Sequence, residues 1–362
     1  MKIAIIAHPF FPIAQPFAGG LEMHTHMLAN ELVARGHEVT LYAKASSMSD
    51  ASIIPVMNKG YVFRNYKSKL LHNYQEARMN IAVGTAIKLI QFGKFDYIIN
   101  NSLSYLPYVK LREVPMMTIL HTPATMEPVN KIISRNWSAP PHHQYISVSK
   151  TNARSWSQFL PRVDVVTNGI KLDEWRTSDS PEHKTAVWAS RITKEKGLHV
   201  AIEAAEIAGF NLKIAGPIAD RNYYNEYIAP HLNSKITYVG HLDHTELASF
   251  FSSGAVAISS PLWEEPFGLT TVEALATGTP VAALPNGAMK EIVIDSVGAI
   301  SNSETPSDLA QAIQVAATKS RKACREYSRN FSIKAMVDGY EVIMNNQLES
   351  IKLSDSPLCR TV

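Results

Sequence analysis

The chain has 362 residues, 46% of them hydrophobic and 19% charged, with a formal net charge of +3. That length fits two domains of ordinary size better than one, and the composition excludes a disordered chain, a collagen-like repeat and a disulfide scaffold. The small net charge hides a split: residues 1–170 carry 17 basic against 9 acidic side chains (+8), and residues 171–362 carry 18 against 23 (−5).

The opening run Met1 to Pro9 is short and broken by His8 and Pro9, which argues against a secretion signal. No apolar stretch is long enough to span a bilayer, so a cytoplasmic protein is expected, with contact at the inner membrane face left open. Cys324 and Cys359 lack metal-ligand spacing, which fits a reducing compartment.

Apolar β-branched runs predict strands near 2–7, 38–43, 95–100, 115–120, 144–148 and 163–167. Between the first two, Leu21, Leu28, Leu32 and Val33 mark a helix closed by Arg35-Gly36-His37. Segment 61–80 mixes basic and aromatic residues. It reads either as a surface for a membrane or a phosphate-bearing acceptor, or as a helix whose core stripe is Leu70, Leu71, Tyr74, Ala77 and Ile81. The second half repeats the pattern, with strands near 185–189, 211–215, 235–239, 255–259, 280–284 and 297–300. Helices are expected near 197–208, 243–252, 269–277, 305–318 and 332–348.

Such alternation predicts an α/β protein with two Rossmann-like, doubly wound domains. Asn168-Gly169-Ile170-Lys171 with the polar stretch 173–184 is the expected linker. The boundaries are 1–170, 171–335, a helix over 336–350, and a poorly ordered tail over 351–362. Ligands of such sheets bind outside the carboxyl ends of the strands, so two facing sheets would share a cleft.

The loops after strands hold the unusual residues. Gly19-Gly20 precede a helix and suit close approach of an anion or a plain tight turn, but G-x-G-x-x-G is absent there. Arg191 and Lys196 cluster at another helix start, where they suit a diphosphate or are simply solvated. In segment 261–280, Glu265 precedes a Pro-Phe-Gly turn, and Glu273 lies eight positions later on the following helix. Paired carboxylates accept the hydroxyl hydrogen bonds of ribose and sugar rings, and the amides of Phe267, Gly268 and Leu269 point from the helix start.

Glu265 to Glu273 resembles the E-x7-E motif of family-four retaining glycosyltransferases with the GT-B fold. Gly19-Gly20-Leu21-Glu22, Arg35-Gly36-His37-Glu38-Val39, His121-Thr122-Pro123, Val148-Ser149-Lys150, Asn168-Gly169-Ile170, Arg191 with Lys196-Gly197, and Ala215-Gly216-Pro217 agree in order and spacing, from residue 1 to about 350. The resemblance implies that Arg191 and Lys196 bind the donor diphosphate, Glu273 the ribose, and Glu265 the donor sugar. It adds Phe267, Gly268, Leu269 and Thr270 to the donor set. It places Gly19, Gly20 and Gly216 near the diphosphate and the base near His241 and Leu242. It sets His121 beside the anomeric centre, as a sugar-positioning group ahead of a general base. It assigns the acceptor to the N-terminal domain, where Glu22, Thr122 and Arg78 are candidates, and it returns the last helix to that domain.

The implied reaction moves a hexose from a nucleotide donor, expected to be UDP-linked, to a hydroxyl acceptor by front-side displacement with retention. No Asp-x-Asp occurs, so neither a metal nor another cofactor is expected; Arg191, Lys196 and helix amides would stabilise the leaving diphosphate. The basic N-terminal half suits an anionic or membrane-associated acceptor, and no nucleic-acid partner is expected. The rival readings are a non-catalytic nucleotide-sugar-binding protein and a sugar-nucleotide epimerase on the same scaffold; pyridoxal-dependent phosphorolysis does not suit so short a chain.

Overall fold

The structure is a computed structural model describing residues 1–63, 68–125, 137–175 and 181–354. The chain forms two compact units. One comprises Met1–Val148, Ala153–Thr167 and Ile333–Val362, and the other Ser149–Asn152 with Asn168–Ser332. Residues 64–67 of the mixed segment, 176–180 of the expected linker and 355–362 of the expected tail lie outside the described residues.

In the first unit, β1 (Lys2–Ala7), β2 (Glu38–Lys44), β3 (Ser52–Met57), β4 (Tyr97–Asn101), β5 (Met116–Leu120), β6 (His143–Ser147) and β7 (Asp164–Val165) form a parallel sheet ordered β3-β2-β1-β4-β5-β6-β7. Ile3 pairs with Val39 on one side and Tyr97 on the other, so β1 is central, and Ile3 to Ala7 are fully buried. Burial on both faces is why the strand is continuously apolar. β3 escapes the sequence reading because Pro55 interrupts it. The strand lies at the sheet edge, where a missing N–H is tolerated, and its register with β2 shifts after Ala43.

Helix α1 (Gly20–Ala34) follows β1 and buries Met27, Leu28 and Leu32. Helix α2 (Lys69–Phe92) corrects an expectation. Its packed face is Val83, Ala86, Ile87 and Ile90, set against Ala4, Ile6, Tyr42 and Ile98, with Ala82 against Phe10 and Met57. The stripe read as core points the other way: Leu70 is 77% exposed, Tyr74 54% and Ile81 65%, continuing to Phe92 at 90%. At 100° per residue these four share one side of the helix. The helix is apolar on two faces, and periodicity alone cannot choose which of them meets the sheet.

The second unit contains β8 (Thr185–Ala189), β9 (Asn211–Ala215), β10 (Ile236–Gly240), β11 (Val256–Ser259), β12 (Val281–Ala283) and β13 (Gly298–Ile300), all parallel and ordered β10-β9-β8-β11-β12-β13. Its core joins Trp188, Leu198, Leu212, Ile214, Ile258 and Ile313. After helices α3 (Leu106–Lys110) and α4 (Lys150–Trp156), the principal helices here are α5 (Leu198–Ala208), α6 (His244–Ser253), α7 (Leu269–Ala276), α8 (Pro306–Ala316) and α9 (Arg321–Ser328). Asp243 and Glu246 form a reciprocal capping box at the start of α6. Helix α9 is short and strongly basic, which hid it from a reading based on apolar stripes.

The last helix, α10 (Ile333–Ser354), belongs to the first unit. It runs beyond residue 351, where a poorly ordered tail was expected. Val337, Tyr340 and Met344 are fully buried, and Gln347 bonds the Tyr97 hydroxyl and the His142 carbonyl. Arg35 reaches Asp338 and Glu341, both at 2.6 Å, and His37 reaches Glu341 at 2.8 Å. Burial works to raise the Glu341 pKa, but His37 and Arg35 together hold it below the ordinary carboxylate value. The Arg35-Gly36-His37 turn that ends α1 is thus also the clamp for the returning helix.

Candidate active site

Both sheets reverse their strand order once, between β1 and β4 in the first and between β8 and β11 in the second. The carboxyl ends beside such a reversal diverge to opposite faces and leave a crevice where ligands of open α/β sheets bind. In the second unit the two loops beside the reversal are 190–197 and 260–268, which hold Arg191, Lys196, Glu265 and Gly268.

These loops are fastened together. Lys196 ends a single 3-10 turn, and Gly197 follows in the left-handed region at φ 65°. A Cβ on Gly197 would lie 2.0 Å from the Ser260 carbonyl oxygen, so only glycine lets the loops approach this closely. Ser260 Oγ donates to the Lys196 carbonyl at 3.0 Å and accepts from Trp188 Nε1 at 3.0 Å, while the Leu262 amide donates to the Glu195 carbonyl at 2.8 Å. Gly216, after β9, comes against the Ser190 carbonyl, where a Cβ would sit at 1.9 Å.

Across this frame Lys196 Nζ donates to Glu265 Oε2 at 2.5 Å, and Trp263 Nε1 donates to the same oxygen at 2.9 Å. The ammonium also lies 5.0 Å from the Trp263 ring centroid, within cation–π range. The lysine and glutamate side chains are only 16% and 13% exposed. The expected diphosphate cation and the expected sugar carboxylate therefore hold each other. Trp263 joins them unannounced; its one sequence signal is an indole two residues before a loop carboxylate. Arg191 is more open, 45% exposed, and its contact is with Glu195 at 3.9 Å.

Gly268, at φ 92°, precedes α7, and the Phe267 ring is buried against Phe331. Thr270 is half-buried in the first turn. Glu273 is 3% exposed, and its carboxyl makes no hydrogen bond among the described residues. Burial pushes its pKa up to about 8, so it is protonated at neutral pH. His241 is exposed and Leu242 half-buried after β10, two strands out from β8.

The remaining candidates belong to the first unit. Gly19 caps α1 in an extended conformation, and Gly20 is exposed. Glu22 Oε1 lies 3.9 Å from His8 Nδ1, but burial lowers the His8 pKa to about 4, so this is no ion pair at neutral pH. His121 Nε2 is 3.3 Å from Asn101 Oδ1, and its ring meets His24 edge-on at 4.5 Å. Burial, with the neighbouring His24, holds His121 well below 6.5. His24, itself lowered to about 3 by burial, bonds the Tyr340 hydroxyl at 3.1 Å. Thr122 is half-buried, and its carbonyl accepts from Trp156 Nε1 at 2.7 Å. Arg78 lies 5.6 Å from the Tyr61 ring centroid beside the stacked Phe10. His24, Asn101 and Tyr340 were not singled out from the sequence, because their roles depend on contacts across the sheet and with α10. No group of three or more His, Cys, Asp or Glu among the described residues is arranged to hold a metal ion.

Residues 18–174 match the family described as Glycosyltransferase Family 4, and residues 172–331 match Glycosyl transferases group 1. The chain belongs to the family-four glycosyltransferases. It is 25% identical over 347 residues to glycogen synthase of Mycobacterium tuberculosis, covering 83% of this chain and 82% of that one. It is 24% identical over 343 residues to the D-inositol 3-phosphate glycosyltransferase of Mycobacterium bovis, covering 82% and 71%. Sucrose-phosphate synthase from Thermosynechococcus elongatus shares the fold with a TM-score of 0.78 at 17% identity, over 97% of this chain and all of that one. Anabaena HepE, solved in complex with UDP and glucose, shares it with a TM-score of 0.71 at 18% identity, over 96% of this chain and all of that one. Family and fold are thus those of GT-B glycosyltransferases.

The buried Glu273 of this glycosyltransferase predicts a stability effect. Its carboxyl must ionise in the unfolded chain above its ordinary value near 4.5 but resists ionisation in the folded one until about 8. Folding therefore loses stability as pH rises between these values. Glu273→Gln is expected to match wild type near pH 4 and to be more stable by on the order of 5 kcal/mol at pH 9. Urea unfolding across that range checks it; a constant difference would contradict the burial argument.

Proposed function

We infer that this glycosyltransferase moves a hexose from a UDP-linked donor to a hydroxyl acceptor with retention of anomeric configuration and without a metal. The observation that carries the reading is the Lys196–Glu265–Trp263 cluster, set in the two loops beside the strand reversal of the second unit. The donor's diphosphate displaces Glu265 from Lys196, and Arg191 adds a second cation. The amide groups of Phe267, Gly268 and Leu269, with Thr270, take sugar hydroxyls, and Glu273 accepts from the ribose. Gly216 leaves room for the phosphates, and His241 and Leu242 flank the base.

Chemistry follows from charge. The acceptor oxygen bonds to C1 on the face that the diphosphate leaves, the C1–O bond to phosphate breaks, and the acceptor proton passes to the departing phosphate oxygen. The protein's share is to stabilise that oxygen with cations held in place beforehand, which costs no reorganisation at the moment of reaction. His121, kept neutral by burial, is suited to orienting a sugar hydroxyl; so low a pKa makes a weak general base. The names of the similar proteins support a nucleotide-sugar donor: one is a glycogen synthase, and HepE was solved with UDP and glucose.

Lys196→Ala is expected to retain the fold and to lower release of UDP from UDP-hexose by about a hundredfold or more, the scale for removing one preorganised donor to an oxyanion. Activity should be unchanged in EDTA, and the product sugar should be a glycoside of retained configuration. Near wild-type turnover in Lys196→Ala would refute the assignment, and a free epimerised nucleotide sugar as the product would indicate an epimerase.

The acceptor belongs on this reading to the first unit, with Glu22, Thr122 and Arg78 as its candidates, while Gly19 and Gly20 stay with the donor diphosphate. Peripheral contact with an anionic membrane is supported by α2, whose exposed Leu70, Tyr74, Ile81 and Phe92 run beside exposed Lys69 and Lys88. No helix among the described residues is long and apolar enough to cross a membrane. The protein should sediment with anionic vesicles at low salt, and Ile81→Glu/Phe92→Glu should stay in the supernatant. Wild-type protein left in the supernatant would end the membrane reading.

A further inference from the structure

His121 follows the carboxyl end of β5, and Asn101 ends the neighbouring strand β4. Beneath them lies Thr25 of α1. Asn101 is 1% exposed and Thr25 fully buried, so water has little access to their polar atoms. Three hydrogen bonds run in line through these residues. Thr25 Oγ1 meets the Leu21 carbonyl at 2.8 Å, Asn101 Nδ2 meets Thr25 Oγ1 at 3.1 Å, and Asn101 Oδ1 meets His121 Nε2 at 3.3 Å.

The direction of the line is set at its far end. A carbonyl oxygen can only accept, so the single hydroxyl hydrogen of Thr25 turns to Leu21. Turned elsewhere, it would leave the lone pairs of two oxygens facing each other at 2.8 Å. Thr25 Oγ1 is then an acceptor, which turns the Asn101 amide nitrogen toward it and Oδ1 toward His121. An amide oxygen has no hydrogen to give, so His121 Nε2 carries the proton and donates it. Burial keeps the ring neutral, and a neutral imidazole protonated at Nε2 has a lone pair at Nδ1. That Nδ1 makes no hydrogen bond among the described residues. Unlike Nδ1 of His8 and of His24 it is not sealed from solvent, and His121 as a whole is half-buried.

We propose that Asn101, anchored by Thr25, is a positioning residue that fixes His121 in its Nε2–H tautomer, so that Nδ1 meets a sugar hydroxyl as hydrogen-bond acceptor. The proposal rests on the reading of His121 as a sugar-positioning group and gives that reading a direction. The opposite tautomer would present an N–H and would select a sugar oxygen without a hydrogen. The anchor lies in α1, so the first helix acts on the sugar through a strand residue that need not touch it.

The test is a long-range nitrogen–proton NMR spectrum of protein labelled with 15N-histidine, with His121 assigned by its loss in His121→Gln. Ligand-free wild type should show a pyrrole-type Nε2 and a pyridine-type Nδ1. Thr25→Val keeps the side-chain shape but removes the anchor. It should mix the two tautomers and lower release of UDP from UDP-glucose, as kcat/KM, about tenfold, the scale of one well-formed hydrogen bond. Thr25→Ser should restore both. Should Thr25→Val fail to fold, Asn101→Ala carries the same two readouts. A protonated Nδ1 in wild type, or a tautomer change that leaves kcat/KM untouched, overturns the proposal. The tautomer is read without donor. Failure of the UDP-hexose reading would instead appear as no binding of UDP or UDP-glucose, with the wild-type spectrum still deciding whether Asn101 sets the tautomer.

Discussion

The contact on which the proposed donor site depends is the one between Lys196 and Glu265. It joins the loop after β8 to the loop after β11 across the place where the strand order reverses. Sheet topology opens a crevice there whatever the sequence. The residues determine what the crevice is for. Gly197 lets the two loops touch, Ser260 ties them at the backbone, and Trp263 holds the same carboxylate oxygen as the lysine. A cation kept in place by a carboxylate is available to an incoming anion without searching for its position. The exchange of one anionic partner for another is also less costly than charging an empty site.

The same economy of charge appears in the other ionisable groups. Glu273 is buried deeply enough to be protonated at neutral pH, and His8, His24 and His121 are neutral there. The first unit therefore surrounds His121 with uncharged rings, and in the second unit Glu273 adds no charge to that of Lys196 and Glu265. In such surroundings each remaining charge acts more strongly than it would in water. His24 also connects α10 to His121 through Tyr340, so the returning C-terminal helix supports a first-unit candidate as well as closing that unit.

Much of this was legible in the sequence, for definable reasons. Strands buried on both faces are continuously apolar, so β1 and β8 stood out, and the loops after them could be searched for polar residues. Glu265 and Glu273 were visible by spacing, but their environments were not. Nothing local says that one carboxyl meets a lysine 69 positions earlier while the other is buried without an ionic partner. α2 was misread for a complementary reason: it carries two apolar faces, and only the sheet determines which is inside. β3 was hidden by Pro55, which interrupts an edge strand.

The central claim is that the donor's diphosphate binds between the loops after β8 and β11 and takes Lys196 from Glu265. A crystal structure of the protein with UDP tests it most directly. The account predicts the β-phosphate within hydrogen-bonding distance of Lys196 Nζ and Arg191, with the Lys196–Glu265 contact lengthened or broken. A diphosphate bound elsewhere, with Lys196 still closed on Glu265, would contradict it.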